Sequence, residues 1–145
     1  MKIFAKKKGF TLIELLVVIA IIGILAGIVL VQLSGATKRA KDGRISADMS
    51  QMRSTAQIFY DNQTPNSYTG LCASTDVTRL RDDVCIQKGQ AAGCTGVHWN
   101  CQESAGAYCV SSQLNSNAYW CVDSTLVSKQ YSSAPTCTAT DFTCD

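Results

Sequence analysis

An uninterrupted apolar segment near the N-terminus constrains the fold of this chain more than any other feature. From Leu15 to Val31 no residue is charged or strongly polar, and in the wider stretch 10–33 the main exceptions are Glu14 and Gln32. About 20 apolar residues span a bilayer as an α-helix. A cleaved secretory signal is the alternative, but its apolar region is usually about 7–15 residues and ends at a small-residue cleavage site. No such site follows this run, so the pattern favours a membrane helix.

The flanking charges leave the orientation of this helix nearly undecided. Basic residues precede it (Lys2, Lys6, Lys7 and Lys8) and also follow it (Lys38, Arg39, Lys41 and Arg44). Since Lys and Arg are enriched on the cytoplasmic side of membrane helices, the two flanks compete. The cysteines settle the orientation, because all eight lie from Cys72 onward and disulfides form outside the cytoplasm. We therefore predict a cytoplasmic N-terminus and a C-terminal part outside the cytoplasm.

The helical pattern continues beyond the apolar run. Apolar residues recur at helical spacing and form one stripe of an amphipathic helix: Ile45, Met49, Met52, Ala56 and Phe59. Pro65 and its polar neighbours predict that the helix ends near Asn62. We expect this stripe to pack on a folded domain rather than to bind a cofactor. Within the membrane segment, Gly23 and Gly27 form a Gly-x-x-x-Gly pair that lets helices approach closely, or are ordinary glycines of such a helix.

The C-terminal part is small, polar and rich in cysteine. Two β-rich runs, 107–114 and 118–124, flank an Asn-rich turn and predict a hairpin. A short helix or irregular turn is expected over 77–84, and an edge strand with a tail over 125–145. Because the core of so small a domain is marginal, disulfides are expected to stabilise it. The predicted fold class is α+β, with a long N-terminal helix packed on a small antiparallel β-sheet head.

Eight cysteines allow 105 disulfide pairings. We expect each disulfide to close a short loop, which gives Cys72–Cys85, Cys94–Cys101, Cys109–Cys121 and Cys137–Cys144. Zinc is the alternative, but the closest cysteines are seven residues apart, whereas zinc sites favour ligand pairs of the Cys-x-x-Cys type. The single histidine, His98, has no nucleophile motif around it. No metal, cofactor or catalytic site is therefore expected.

The junction between the basic leader and the helix resembles the processing site of type IV pilins and pseudopilins. It reads Lys8-Gly9-Phe10-Thr11-Leu12-Ile13-Glu14. In that family a membrane-embedded prepilin peptidase cuts after the glycine and methylates the new amine, so the resemblance places the cut between Gly9 and Phe10. It also implies that Glu14 pairs with the Phe10 amine of a neighbouring subunit in a helical filament, since an unpaired carboxylate in a dry core is costly.

The resemblance covers roughly residues 1–68 and, with the cysteine pattern, implies four segments. These are a removed leader over 1–9, a transmembrane and filament-core helix over 10–33, its amphipathic continuation over 34–62, and a cysteine-rich head over 63–145. Two features depart from the family. Many type IV pilins have a proline in the last third of the apolar run, and here there is none. The eight cysteines also exceed the one or two disulfides that are common in the family.

The resemblance implies a non-enzymatic subunit that assembles with copies of itself and with other pilins. The subunit would first cross the inner (cytoplasmic) membrane once, and an inner-membrane platform would then assemble it into an extracellular filament for adhesion, twitching motility or DNA uptake. A pseudopilin of a type II secretion or competence machine and a membrane-anchored monomeric binding module are the alternatives. Without its four leader lysines the chain has nine basic and eleven acidic residues, so nucleic acid is not expected to bind the head directly.

Aromatic residues in the head allow two interpretations. Trp99, Tyr108, Tyr119 and Trp120 could form a carbohydrate-binding or surface-binding patch, but we expect them to be buried in the packing of the head.

Overall fold

The computed structural model describes residues 9–145, so the leader lysines at positions 2, 6, 7 and 8 lie outside the described residues. The elements are helix α1 (Leu12–Asp61), a short 3₁₀ turn (Leu71–Ala73), helix α2 (Thr75–Gln87), and the strands β1 (Asn100–Glu103), β2 (Tyr108–Gln113), β3 (Tyr119–Asp123) and β4 (Ser128–Tyr131). The α+β class is confirmed. The chain divides into two compact units at the boundary between Thr37 and Lys38, and the second unit, residues 38–145, is called the head below.

The predicted helices are present. Helix α1 ends at Asp61, one residue before the expected end and shortly before Pro65. The segment predicted as a helix or irregular turn is helix α2, whose Val77 and Val84 side chains are fully buried in the core of the head.

The four strands form an antiparallel sheet in the order β1-β2-β3-β4. The predicted hairpin is β2–β3, in which Ser112 lies opposite Trp120. Its turn places Asn117 in the left-handed region with φ 67°, a conformation that asparagine tolerates better than most residues. The predicted edge strand is β4, whereas β1 was not predicted because its sequence Asn-Cys-Gln-Glu shows no apolar alternation.

One face of the sheet packs on the head portion of α1. The directly opposed pair Val110 and Val122 belongs to a buried cluster with Ile45, Met49 and Met52. The predicted stripe on α1 is therefore confirmed, and four of its five members are fully buried. Its last member, Phe59, packs only partly buried at the margin of this cluster.

The other face of the sheet is linked to the C-terminal tail. By register, Cys109 lies opposite Asp123 and Cys121 lies opposite Ser111, so the two cysteines share one face as predicted. Each forms a disulfide with the tail, in the pairs Cys109–Cys137 and Cys121–Cys144. The remaining disulfides are Cys72–Cys101 and Cys85–Cys94. All eight cysteines are thus oxidised.

All four predicted pairings were wrong: Cys72–Cys85, Cys94–Cys101, Cys109–Cys121 and Cys137–Cys144. Disulfides need a Cα separation of about 4.4–6.8 Å. Helix α2 carries its cysteine away from the 3₁₀ turn, since about ten residues of helix rise about 15 Å.

Sheet register excludes a direct hairpin disulfide, because Cys109 and Cys121 are diagonal rather than opposite and diagonal neighbours are about 7–8 Å apart. Strand β1 in turn brings Cys101 beside Cys72, with 5.9 Å between their Cα atoms. Contacts between residues distant in sequence, and not loop length, therefore determine the disulfide pairing in this head.

Candidate functional site

The N-terminus of α1 places Glu14 next to the predicted cleavage point. Thr11 precedes the helix, and Glu14 lies in its first turn. The Thr11 backbone N–H and the Thr11 hydroxyl each donate a hydrogen bond of 2.8 Å to Glu14 Oε2. The Glu14 backbone N–H donates in return to Thr11 Oγ1 at 3.2 Å. This reciprocal pattern is a capping box, in which two side chains satisfy backbone groups that the helix start leaves unpaired.

The capping box has a signature in the sequence, Thr-x-x-Glu before an apolar run. Both hydrogen bonds that the Glu14 side chain accepts end on Oε2. Among the described residues, Oε1 of Glu14 accepts no hydrogen bond. One oxygen of Glu14 thus holds the helix start, and the other is free to accept a hydrogen bond from a partner.

The apolar surface of α1 is exposed along the whole membrane-length segment. Phe10 is 81% exposed, and the large apolar side chains from Leu12 to Leu33 are all more than two-fifths exposed. Large contiguous apolar surfaces on a protein mark contacts with lipid or with other proteins. The helix is long and apolar enough to cross a membrane by length and composition.

The two glycines of the Gly-x-x-x-Gly pair lie on this exposed surface. A Cβ atom added at Gly23 or Gly27 meets no atom within 4 Å in the described part of the chain. The surface there is open, and close packing of another helix at these positions stays a prediction. Gly9 and Phe10 lie just before Thr11 and the helix start, and they are also exposed.

Within residues 9–145 no three His, Cys, Asp or Glu side chains gather as metal ligands. The His98 side chain lies with its Nδ1 atom buried and without a hydrogen bond. Trp99 and Tyr108 are buried, as expected from packing. Trp120 is partly buried and donates from its indole nitrogen to Ser128 at 3.3 Å.

Comparison with known proteins points to the N-terminal segment. The family model for the prokaryotic N-terminal methylation motif matches residues 4–30. Over 63 residues the chain is 48% identical to the type IV wide pilus major component PilA4 of Thermus thermophilus, a match that covers 43% of this chain and 46% of that protein. Over 51 residues it is 45% identical to the type IV major fimbrial protein FimA of Dichelobacter nodosus, which covers 35% and 33% of the two chains.

A fimbrial protein of Neisseria meningitidis serogroup A is 37% identical over 75 residues, which cover 49% of this chain and 44% of that protein. The chain therefore spans between a third and a half of the length of these relatives. No solved structure is significantly similar to it. The motif, the apolar helix and these relatives agree, and in its N-terminal segment the chain is similar to type IV pilins.

Proposed function

We propose that this protein is the structural subunit of a type IV pilus filament and that it polymerises through residues 10–33. The observation that carries the proposal is the exposed apolar surface of α1, most of which lies within the stretch that matches the methylation-motif model. Lipid covers that surface before assembly, and the helices of neighbouring subunits cover it in the filament. The protein acts by assembly and not by catalysis.

Processing prepares the first contact. A prepilin peptidase removes residues 1–9 and methylates the amine of Phe10. This amine carries a positive charge at the start of an apolar helix, where a charge without a partner is costly. Glu14 offers the matching negative charge through its free Oε1, while Oε2 remains bonded to Thr11. The Phe10 amine of one subunit therefore pairs with Glu14 of its neighbour and sets the register between them.

The remaining segments follow from this assembly. Residues 34–62 continue the helix into the head, and residues 63–145 form the disulfide-bonded part of the head on the filament surface. The subunit begins as a single-pass protein of the inner membrane, with its head outside the cytoplasm. An inner-membrane platform then moves it into an extracellular filament that serves adhesion, twitching motility or DNA uptake. A pseudopilin shares the same N-terminal chemistry, but the named relatives are pilus and fimbrial proteins, which favours the pilus.

The decisive experiment separates the charge of Glu14 from its capping role. Glu14→Ala is expected to leave membrane insertion intact and to abolish filaments in the sheared extracellular fraction. Glu14→Gln keeps an acceptor for Thr11 but has no charge, and is expected to fail in the same way. Thr11→Val removes the capping hydroxyl yet keeps the charge, so filaments should still form.

Gln32→Ala serves as the matched control, since it removes a polar side chain near the other end of this segment and should assemble normally. Abundant normal filaments from Glu14→Ala would contradict the proposed mechanism. An uncut N-terminus, with no effect of changes at Phe10 or Glu14, would instead favour the monomeric binding module.

A further inference from the structure

Three basic side chains at the start of the head have no partner in the described part of the chain. We propose that Lys38, Arg39 and Lys41, called the basic collar below, bind the phosphate groups of anionic phospholipids in the membrane leaflet on the head side. The inference rests on the proposed function for the orientation of the chain in the membrane, and it adds a ligand that polymerisation does not require.

The collar is free to bind. All three side chains are exposed. The ion pairs found within residues 9–145 use Arg44, Arg79 and Arg81 and none of the collar residues. Arg44 follows closely in the sequence but is already held between two head carboxylates.

The neighbouring acid does not neutralise the collar. The Asp42 carboxylate points to the hairpin turn, where it accepts hydrogen bonds from the backbone N–H groups of Asn115 at 2.6 Å and Ser116 at 3.0 Å. Lys88 lies on the same side and donates from Nζ to the Leu114 carbonyl oxygen at 3.0 Å. Asp42 also attracts Lys88 and opposes the lowering of the Lys88 pKa by burial. Within residues 9–145 the three positive charges of the collar therefore take part in no ion pair.

Its position along α1 matches the depth of lipid phosphates. Leu33 is the last large apolar residue of the exposed run. Helical rise places Lys38 about 8 Å and Lys41 about 12 Å beyond it. A bilayer has a hydrocarbon core of about 30 Å and totals about 40–45 Å with its headgroups, so each headgroup layer is roughly 5–8 Å thick. Long basic side chains reach back toward this layer while their stems follow the helix.

Chain orientation does not explain these charges. Lys and Arg normally favour the cytoplasmic flank of a membrane helix, and the leader lysines already supply that flank. A collar on the opposite side opposes this preference. Contact with anionic headgroups offsets the cost of placing basic residues on this side, because each Lys or Arg near an anionic membrane surface strengthens binding to that surface by about fivefold. The collar residues spread around somewhat less than half of the helix circumference, at about 100° per residue, so they contact several headgroups rather than one pocket.

The test uses the full chain in nanodiscs of phosphatidylcholine with a minor fraction of phosphatidylglycerol. After release into mild detergent, native mass spectrometry counts the two lipids retained per chain. The wild-type chain is expected to retain phosphatidylglycerol in excess of its share of the bilayer. Lys38→Gln/Arg39→Gln/Lys41→Gln should reduce this enrichment by at least about tenfold, given about fivefold per charge.

Two variants isolate the cause. Lys38→Arg/Arg39→Lys/Lys41→Arg keeps the charges and should keep the enrichment. Arg53→Gln/Arg79→Gln/Lys129→Gln removes the same number of charges from other exposed positions of the head and should also keep it. An unreduced intact mass with four disulfides and an unchanged circular dichroism spectrum confirm that each variant is folded. Equal enrichment in the collar variant and the wild type, or an equal loss in the head control, would overturn the inference.

Two further arms identify the source of the phosphate and the class of partner. Excess glycerol phosphate at constant ionic strength should leave the lipid enrichment unchanged. Complete loss of the enrichment would show that the collar binds any soluble phosphate rather than the lipid. A collar variant with wild-type lipid enrichment but no filaments would assign the collar to a contact with a second subunit and overturn the lipid site. The nanodisc measurement needs no filament. It therefore tests the lipid site even if the Glu14 variants contradict the proposed polymerisation.

Discussion

The buried carboxylate of Asp123 accepts a hydrogen bond of 2.9 Å from the backbone N–H of Cys144. Its other oxygen accepts hydrogen bonds from the backbone N–H groups of Thr125 at 2.8 Å and Val127 at 3.2 Å. Only 1% of Asp123 is exposed. One side chain therefore orders the turn between β3 and β4 and also holds the C-terminal tail against the sheet, beside the Cys121–Cys144 disulfide.

Replacement of this carboxylate should destabilise the head. Both carboxylate oxygens of Asp123 accept hydrogen bonds, whereas an asparagine side chain has only one oxygen. Asp123→Asn therefore leaves at least one buried N–H group without a partner. We expect a loss of about 1–3 kcal/mol in the free energy of unfolding. Urea denaturation of the full chain in detergent measures it. Asp61→Asn, at an exposed position, should change stability by less than about 0.5 kcal/mol, and equal stability of the two variants would contradict the role of Asp123.

Disulfide connectivity can be mapped directly. Proteolysis without reduction, followed by mass spectrometry, should yield linked peptides for Cys72–Cys101, Cys85–Cys94, Cys109–Cys137 and Cys121–Cys144. Peptides that link the tail to β2 and β3 are the critical ones, because they report that the tail lies on the outer face of the sheet. A linked peptide joining Cys137 to Cys144 would contradict that arrangement.

The tail disulfide should contribute more stability than the short loop disulfide. Cys121 and Cys144 are separated by 23 residues, whereas Cys85 and Cys94 are separated by nine. Loop-closure entropy predicts about 1 kcal/mol more destabilisation from Cys121→Ala/Cys144→Ala than from Cys85→Ala/Cys94→Ala. Denaturation of the two double variants under the same conditions tests this order, and a larger loss from the short loop would reverse it.

Stability should depend on pH through Asp48. Burial raises the pKa of the Asp48 carboxyl, the charge of Asp83 raises it further, and Arg44 only partly opposes the shift. Asp48 Oδ2 is buried without a hydrogen bond and lies 3.6 Å from Arg44 Nε. Since the folded state holds this proton more tightly than the unfolded chain, the stabilisation is complete below the ordinary carboxyl pKa and is lost as pH rises through the raised value.

Asp48→Asn should therefore raise the thermal midpoint at neutral pH, where the wild-type carboxylate is charged. The difference should disappear in acid below pH of about 3.9, the ordinary pKa of Asp, because the wild-type side chain is then also neutral. Thermal denaturation of both chains across this range measures the effect. A lower midpoint for Asp48→Asn at neutral pH would show that its attraction to Arg44 outweighs its burial.

Local patterns in the sequence predicted the parts of the fold that depend on local spacing. The stripe that contains Met49 and Met52 was found because helical spacing alone places both residues on one face. The β2–β3 hairpin was found because its Asn-rich turn separates two β-rich runs. Strand β1 was missed, since its polar residues join the sheet through partners that local spacing does not reveal. Glu103 on this strand accepts a hydrogen bond of 2.6 Å from the backbone N–H of Gly70, a contact that no local pattern shows.

The candidate site also has a part that local sequence predicts and a part that depends on distant partners. The Gly9-Phe10 junction and Glu14 were read directly from contiguous residues, and the family model covers that stretch. The capping box of Thr11 and Glu14 is also local, and its spacing could have predicted it. The ion pair between Glu14 and the Phe10 amine requires a cut chain and a second subunit, so it remains a prediction.

The most direct test of the account is the intact, unreduced mass of this protein in filaments sheared from cells. We predict a chain that begins at methylated Phe10 and contains four disulfides. A mass that includes residues 1–9 would contradict processing at Gly9. Processed protein that is retained in the membrane and absent from the sheared fraction would contradict the pilus and support the pseudopilin.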